Sequence, residues 1–172
     1  MSPARKFPFA LLAVSLLATP ASSSALASEY PLDQAALIIP RPDARRLRKV
    51  GIANTLDLLV YGRTVAARQL LADRTRLPIE KIVCWVALAD LMRVRGIGPD
   101  VARLLTAAGV RTLADLQRSD PGATAIALHD VNKLRRLSPN PPGAESLAYW
   151  IDQSRRLPIV FEEETAPHLD PR

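Results

Sequence analysis

A glycine-bracketed turn followed by a proline, Gly96-Ile97-Gly98-Pro99, divides two apolar stretches of this chain. Glycine adopts the positive φ angles and permits the close approaches that a tight turn between two helices requires. Proline suits the first position of a helix, because its missing N–H group would have no partner there in any case. The stretch from Ala89 to Leu105 therefore predicts two short helices that meet at a sharp corner.

The second helix of this corner would present its N-terminus beside the glycines. Its first N–H groups have no acceptor within the helix, and the positive end of the helix dipole favours an anion such as a phosphate. Asp100 opposes this interpretation, because a carboxylate on the first turn also stabilises a helix start without any ligand. The predicted anion-binding or nucleic-acid-binding residues are Arg93, Arg95, Gly96, Ile97, Gly98 and Arg103.

The spacing of this stretch resembles the helix-hairpin-helix family. The resemblance is carried by Leu91, Val94, Gly96, Ile97, Gly98, Ala102 and Leu105. In that family the hairpin amides hold the backbone of duplex DNA without reading its sequence, so the resemblance implies the same contact here. The longer stretch from Ile39 to Asn132, which contains ADLMRVRGIGPDVARLLTAAGVRTLADL, is also similar to domain-of-unknown-function family 4332. That similarity implies a helical fold and names no activity.

An earlier segment of the chain repeats part of this pattern. Pro42-Asp43 precedes Pro99-Asp100 by 57 residues (99 − 42), Thr55-Leu56 precedes Thr112-Leu113 by 57 (112 − 55), and Gly51-Ile52 precedes Gly109-Val110 by 58 (109 − 51). We therefore predict an all-α single domain built from two helix-hairpin-helix-like repeats, at about 39–60 and 91–117. The first copy has Ile39-Pro40-Arg41 where the second has Gly96-Ile97-Gly98. The alternative role for the first copy is therefore packing alone, without binding of a ligand.

Basic residues are concentrated near both copies of the pattern. The chain carries a formal net charge of +6 at pH 7, and its pI is about 10.1. A basic surface beside a hairpin is typical of binding to a nucleic-acid backbone, which weakens as salt increases. The alternative interpretation is a solvated surface of an arginine-rich protein. The two groups of basic residues are Arg41, Arg45, Arg46, Arg48 and Lys49, and Arg93, Arg95, Arg103 and Arg111.

The sequence contains no motif of the common catalytic or metal-binding classes. It has no HExxH, CxxC or Gly-x-Ser-x-Gly, and its two histidines, His129 and His168, lie far apart. The single cysteine, Cys84, lies in an apolar segment, which predicts a buried and unreactive thiol. We expect His129 at the core or its boundary, and Trp85 and Trp150 as core anchors. The sequence therefore predicts no enzyme activity, no cofactor and no metal site.

The first 27 residues have the pattern of a secretory signal peptide. Arg5 and Lys6 precede an apolar run, Phe7 to Ala18, and Ala25-Leu26-Ala27 offers a cleavage site. The run is too short for an ordinary membrane span, so we expect cleavage near Ala27 and a periplasmic or secreted protein without an integral span. An uncleaved anchor is the alternative. We expect a helical domain at 28–157 and a mobile acidic tail at 158–172.

The sequence thus indicates a non-catalytic, exported binding module. Two kinds of partner remain open at this point. One is the backbone of duplex nucleic acid, bound without sequence specificity at the glycine turn. The other is a protein partner, in which case the glycines serve only to form the turn and the protein is an interaction or scaffold module.

Overall fold

The computed structural model describes residues 29–163, and this range contains eight α-helices and no strand. The predicted all-α fold class is therefore confirmed. One isolated β-bridge joins Pro31 to Asn54. Among the described residues, no helix has the length and apolar character needed to cross a membrane. The predicted signal peptide, His168 and the tail beyond residue 163 lie outside the described residues.

Most of the helices begin where local sequence signals predict. The side chains of Asn54, Thr64 and Thr112 each accept a hydrogen bond from the backbone N–H group three residues later. At Thr112 the carboxylate of Asp115 also accepts a bond from the backbone N–H group, which completes a capping box. The helices are α1 (Arg41–Lys49), α2 (Thr55–Gly62), α3 (Val65–Thr75), α4 (Ile79–Leu91), α5 (Pro99–Ala107), α6 (Leu113–Arg118), α7 (Pro121–Arg135) and α8 (Ala144–Arg155).

The buried apolar side chains form two clusters, one in each half of the described chain. The first lies among α1 to α4, and the second lies among the end of α4 and α5 to α8. Helix α4 belongs to both, since Ile82 lies in the first cluster and Leu88 and Leu91 lie in the second. A helix that is apolar on several faces must be covered on several sides, and α4 is covered by both halves.

The hydrogen-bond geometry around α1 recurs around α5 at one constant interval. The residues that cap the two helices, Pro40 and Gly98, are 58 apart (98 − 40). The N–H groups of Ile52 and Val110, also 58 apart (110 − 52), both donate to the carbonyl five residues earlier. In each copy, a glycine with positive φ lies between the end of the helix and this N–H donor. These glycines are Gly51, with φ 92°, and Gly109, with φ 97°. The two-repeat composition stays a prediction, and its matching local geometry supports it.

This interval of 58 differs from the 57 residues that separate the two Pro-Asp pairs. In the structure Asn54 and Thr112 cap equivalent helices (112 − 54 = 58), so Thr55 is not the counterpart of Thr112. Likewise Asp43 is buried and binds Lys81 at 3.0 Å, whereas Asp100 accepts a hydrogen bond from Ser138. The two Pro-Asp pairs therefore occupy different positions on their helices, because helix geometry rather than residue identity sets the register.

Residues 158–163, which we call the C-terminal strap, contact both halves of the described chain, and Phe161 and Glu162 contact the first half. The ring of Phe161 is buried in the first cluster, and the guanidinium of Arg68 lies 4.6 Å from its centroid. The N–H group of Glu162 donates to the carbonyl of Arg63, and its carboxylate accepts from the N–H group of Val65. The acidic composition, from which we expected a mobile tail, did not indicate this packing, because one aromatic side chain anchors the strap.

Candidate functional site

The turn between α4 and α5 forms a sharp corner at the predicted position. Gly96 has a φ of 98°, a left-handed conformation that favours glycine. Gly98 is extended, with φ −90° and ψ 179°, and it immediately precedes Pro99, the first residue of α5. Ile97 is fully buried in the second cluster, and its N–H group donates to the carbonyl of Val94. Ile97 therefore anchors the corner from inside, while the glycines lie nearer the surface.

The start of α5 keeps N–H groups available. No side chain caps the helix, and the first intrahelical bond runs from the N–H group of Ala102 to the carbonyl of Gly98. Gly96 is exposed and Gly98 is half-buried, so solvent reaches the corner. The corner is therefore neither covered completely nor part of one continuous helix, and an anion has access to the dipole end of α5.

Two aromatic side chains and one carboxylate border the corner. A Cβ atom at Gly96 would lie 2.8 Å from Nε1 of Trp150, so glycine is required for α8 to pack this closely. A Cβ atom at Gly98 would lie 3.4 Å from Oδ1 of Asp100 and 3.5 Å from the hydroxyl of Tyr30. The Asp100 carboxylate, which accepts a hydrogen bond of 2.8 Å from Ser138, therefore places a negative charge beside Gly98.

The three arginines predicted for this site lie in different surroundings. Arg95 is exposed, and its side chain makes no salt bridge with a described residue. Arg93 has a side chain only 11% exposed, which binds Asp90 at 2.7 Å and donates to the carbonyl of Pro158. Arg103 lines a separate groove, and the glycines of the turn do not line that groove. Of these three arginines, Arg95 is the one available to a ligand at the turn.

Asp90, which the sequence did not single out, is the most deeply buried acid near the turn. It is 1% exposed, Oδ1 accepts a hydrogen bond from Arg93, and Oδ2 is buried without a partner among the described residues. Burial raises the pKa of Asp90 above its ordinary value of 3.8, although the hydrogen bond and charge of Arg93 act in the opposite direction. The folded protein therefore holds a proton on Asp90 more strongly than the unfolded chain does.

We expect the stability of the protein, relative to an Asp90→Asn variant, to fall as pH rises. A raised pKa in the folded state means that Asp90 contributes fully below its unfolded value near 3.8. This contribution is lost as pH rises through the raised pKa of the folded state. Urea unfolding of both proteins at a series of pH values measures the difference. A difference that stays constant between acid and neutral pH would contradict the assignment.

Two further residues lie elsewhere than the sequence predicted. Cys84 is exposed on α4, so the prediction of a buried thiol is wrong, although partial burial still raises its pKa. His129 is exposed on α7, so its placement at the core boundary is also wrong. Trp85 and Trp150 are buried core residues, as predicted. Within residues 29–163, no three His, Cys, Asp or Glu side chains are grouped to hold a metal ion.

The sequence did not single out Arg135, which lines a groove in the folded chain. It ends α7 and lines the same groove as Arg103 and Arg111, although it lies more than twenty residues from both in the chain. The only sequence signal was a basic residue in the last turn of a helix. That signal is common, because a cation there also stabilises the helix dipole.

Comparisons with known proteins place the whole helical region in one family. No curated protein and no solved structure matches the chain. The family described as Domain of unknown function (DUF4332) matches residues 39–157, which extend from the residues before α1 to beyond the end of α8. The match covers all eight helices and more than half of the chain. The chain therefore belongs to the DUF4332 family.

Proposed function

We propose that this protein is an exported, non-catalytic module that binds the phosphate backbone of duplex nucleic acid at the turn between α4 and α5. The observation that carries the proposal is the accessible glycine corner, at which α5 begins without a side-chain cap beside exposed Arg95. Uncapped N–H groups at a helix start bind phosphate oxygens, and a nearby arginine adds charge. These contacts touch no base, so they carry no sequence specificity.

A protein partner is the second candidate for the same surface. The carboxylate of Asp100 beside Gly98 repels phosphate, and Arg93 already pairs with Asp90. A surface that combines the negative charge of Asp100 with the positive charge of Arg95 instead complements a partner with mixed charges. The salt dependence of binding distinguishes these candidates, because release of counterions makes binding to a nucleic-acid backbone strongly sensitive to salt.

Introducing an aspartate at Gly98 is expected to weaken duplex binding by about ten-fold or more. The added carboxylate would occupy the position that a phosphate approaches, and about 1.4 kcal/mol of repulsion already corresponds to ten-fold. The full chain, the Gly98→Asp variant and a control are titrated into a labelled DNA duplex at several salt concentrations. Fluorescence anisotropy reports the dissociation constant at each concentration.

Gly143→Asp is a closely matched control for this experiment. Gly143 precedes α8 with φ −86° and ψ 177°, nearly the backbone conformation of Gly98, and no other atom lies within 4 Å of a Cβ atom placed there. Aspartate is a favourable residue before a helix, so both variants are expected to remain folded. Equal loss of affinity in both variants would argue against the turn as the site. No duplex binding by the unaltered chain at low salt would exclude nucleic acid and leave the protein partner.

A further inference from the structure

A second surface feature, separate from the glycine turn, lies along α4 and α5. Two adjoining cavities of about 570 Å³ and about 510 Å³ share Cys84, Thr106 and Arg111 in their walls. We call this pair of cavities the arginine groove. Each volume falls within the range of small-molecule sites in proteins. The two cavities differ in chemistry, and the difference indicates what kind of ligand would fit them.

The first cavity is largely apolar. Its walls include aliphatic side chains of α4 and the ring of Phe161 from the C-terminal strap. Glu80 lies in its wall as well, so negative charge is present at this cavity. The apolar members are Ile79, Val83, Ala87 and Phe161. Such a cavity favours a hydrocarbon group, because burial removes apolar surface of both partners from water.

Three arginines from three parts of the chain line the second cavity. Arg103 belongs to α5, Arg111 precedes α6 and Arg135 ends α7. Their side chains make no salt bridge with a described residue, whereas Arg48, Arg93, Arg118 and Arg156 each pair with an aspartate. Three arginines that line one cavity with apolar walls attract an anion more strongly than dispersed surface arginines do.

The remaining walls of the second cavity argue against a nucleic-acid base. Trp85 is buried, and its Nε1 already donates to the carbonyl of Ile38, so its ring offers no open stacking surface. Apart from the arginines, the other large side chains in these walls are aliphatic, namely Leu37, Ile38, Leu88 and Leu137. The arrangement therefore suits an anionic group that is attached to an apolar body.

We propose that the arginine groove binds a fatty acid. Its hydrocarbon chain would lie in the first cavity, and its carboxylate would lie among Arg103, Arg111 and Arg135. Arginine binds carboxylates through two parallel hydrogen bonds, which a neutral alcohol of the same length does not reproduce. The proposal does not rest on binding at the glycine turn, because neither cavity is lined by Gly96, Ile97 or Gly98.

The test uses dodecanoate and dodecanol as probes for the full chain, both below the concentration at which dodecanoate forms micelles. Cys84 is the single cysteine of the chain and lies where the two cavities join, so its alkylation by neutral iodoacetamide reports whether the groove is occupied. Dodecanoate is expected to slow alkylation in a saturable manner. Dodecanol is expected to require roughly ten-fold higher concentration, which corresponds to about 1.4 kcal/mol for the carboxylate contacts.

Charge-removing variants locate the carboxylate. Arg103→Gln and Arg135→Gln are each expected to weaken dodecanoate binding about three-fold, or by about 0.65 kcal/mol, and to leave dodecanol binding unchanged. Arg74→Gln, an exposed position on α3, is the control with the same loss of charge. None of these arginines has a salt-bridge partner among the described residues, so the variants are expected to remain folded.

Three results would overturn the fatty-acid proposal: no saturable protection of Cys84, equal affinity for dodecanoate and dodecanol, or equal weakening by Arg74→Gln and Arg103→Gln. The duplex-binding proposal fails or succeeds independently. Gly98→Asp is expected to leave dodecanoate binding unchanged, and Arg103→Gln is expected to leave the Gly98-dependent part of duplex binding unchanged.

Discussion

Replacement of Arg93 with methionine is expected to lower the free energy of unfolding by about 3–5 kcal/mol at neutral pH. Asp90 is 1% exposed, and Arg93 is the residue that binds its Oδ1, while Oδ2 already lacks a partner among the described residues. Methionine keeps much of the apolar stem of arginine and removes the charge. The variant would therefore leave a buried carboxylate without compensation. Urea unfolding monitored by circular dichroism measures the loss.

A second substitution separates this electrostatic effect from other roles of Arg93. Its guanidinium also donates to the carbonyl of Pro158, at the beginning of the C-terminal strap. If the unpaired charge causes the loss, the double variant Arg93→Met with Asp90→Leu should recover most of the stability, because no charge remains to be compensated. Failure to recover would assign the effect to the strap contact instead. Arg95→Met, at the exposed neighbour, should change stability by no more than about 0.5 kcal/mol.

Replacement of Phe161 with alanine is expected to cost about 3–5 kcal/mol of unfolding free energy. The ring is 7% exposed in the first cluster, and Arg68, itself 1% exposed, lies over its face. Arg68 also donates to the carbonyl of Glu162, so ring and backbone of the strap are held by the same side chain. Removal of the ring creates a cavity and loses the cation–π contact. Thermal and urea unfolding both measure the effect.

Ile159→Ala is the matched control, because Ile159 belongs to the same strap and is 57% exposed. Its loss should change stability by no more than about 0.5 kcal/mol. Similar small effects at Ile159 and Phe161 would show that the strap contributes little to the folded state. A large effect at Phe161 alone would show that residues beyond α8 belong to the folded domain, although the predicted domain ended at 157.

Features that depend on neighbours in the chain could be predicted from the sequence. The caps at Asn54 and Thr112 and the proline that opens α5 act over three or four residues, so their spacing is sufficient. The glycine corner could be predicted for the same reason, because the need for a positive φ is a local property of the backbone. The family could also be recognised from the stretch that contains this corner, and the match to residues 39–157 confirms it.

Features that depend on which helix faces which could not be predicted in the same way. Helix α4 is apolar on several sides, so its sequence does not state that Cys84 is the position left exposed. The local pattern likewise placed Arg93, Arg95 and Arg103 around one turn. In the folded chain Arg93 neutralises Asp90, while Arg103 lines a groove with Arg135 from α7. Arg103 and Arg135 lie on separate helices, so no spacing rule relates them. The spacing of Asp90 and Arg93 allows them to pair, but only packing buries the pair.

The sequence alone therefore determines the helical class, the helix starts and the corner at Gly96 and Gly98, because bonds between near neighbours define them. Tertiary structure decided the burial of Asp90, the anchoring of Phe161 and the presence of three arginines in one groove along α4 and α5. The physical reason is that packing assigns each helix face to a neighbour or to water. Packing thereby determines which charged side chains are compensated within the protein and which remain available to a ligand.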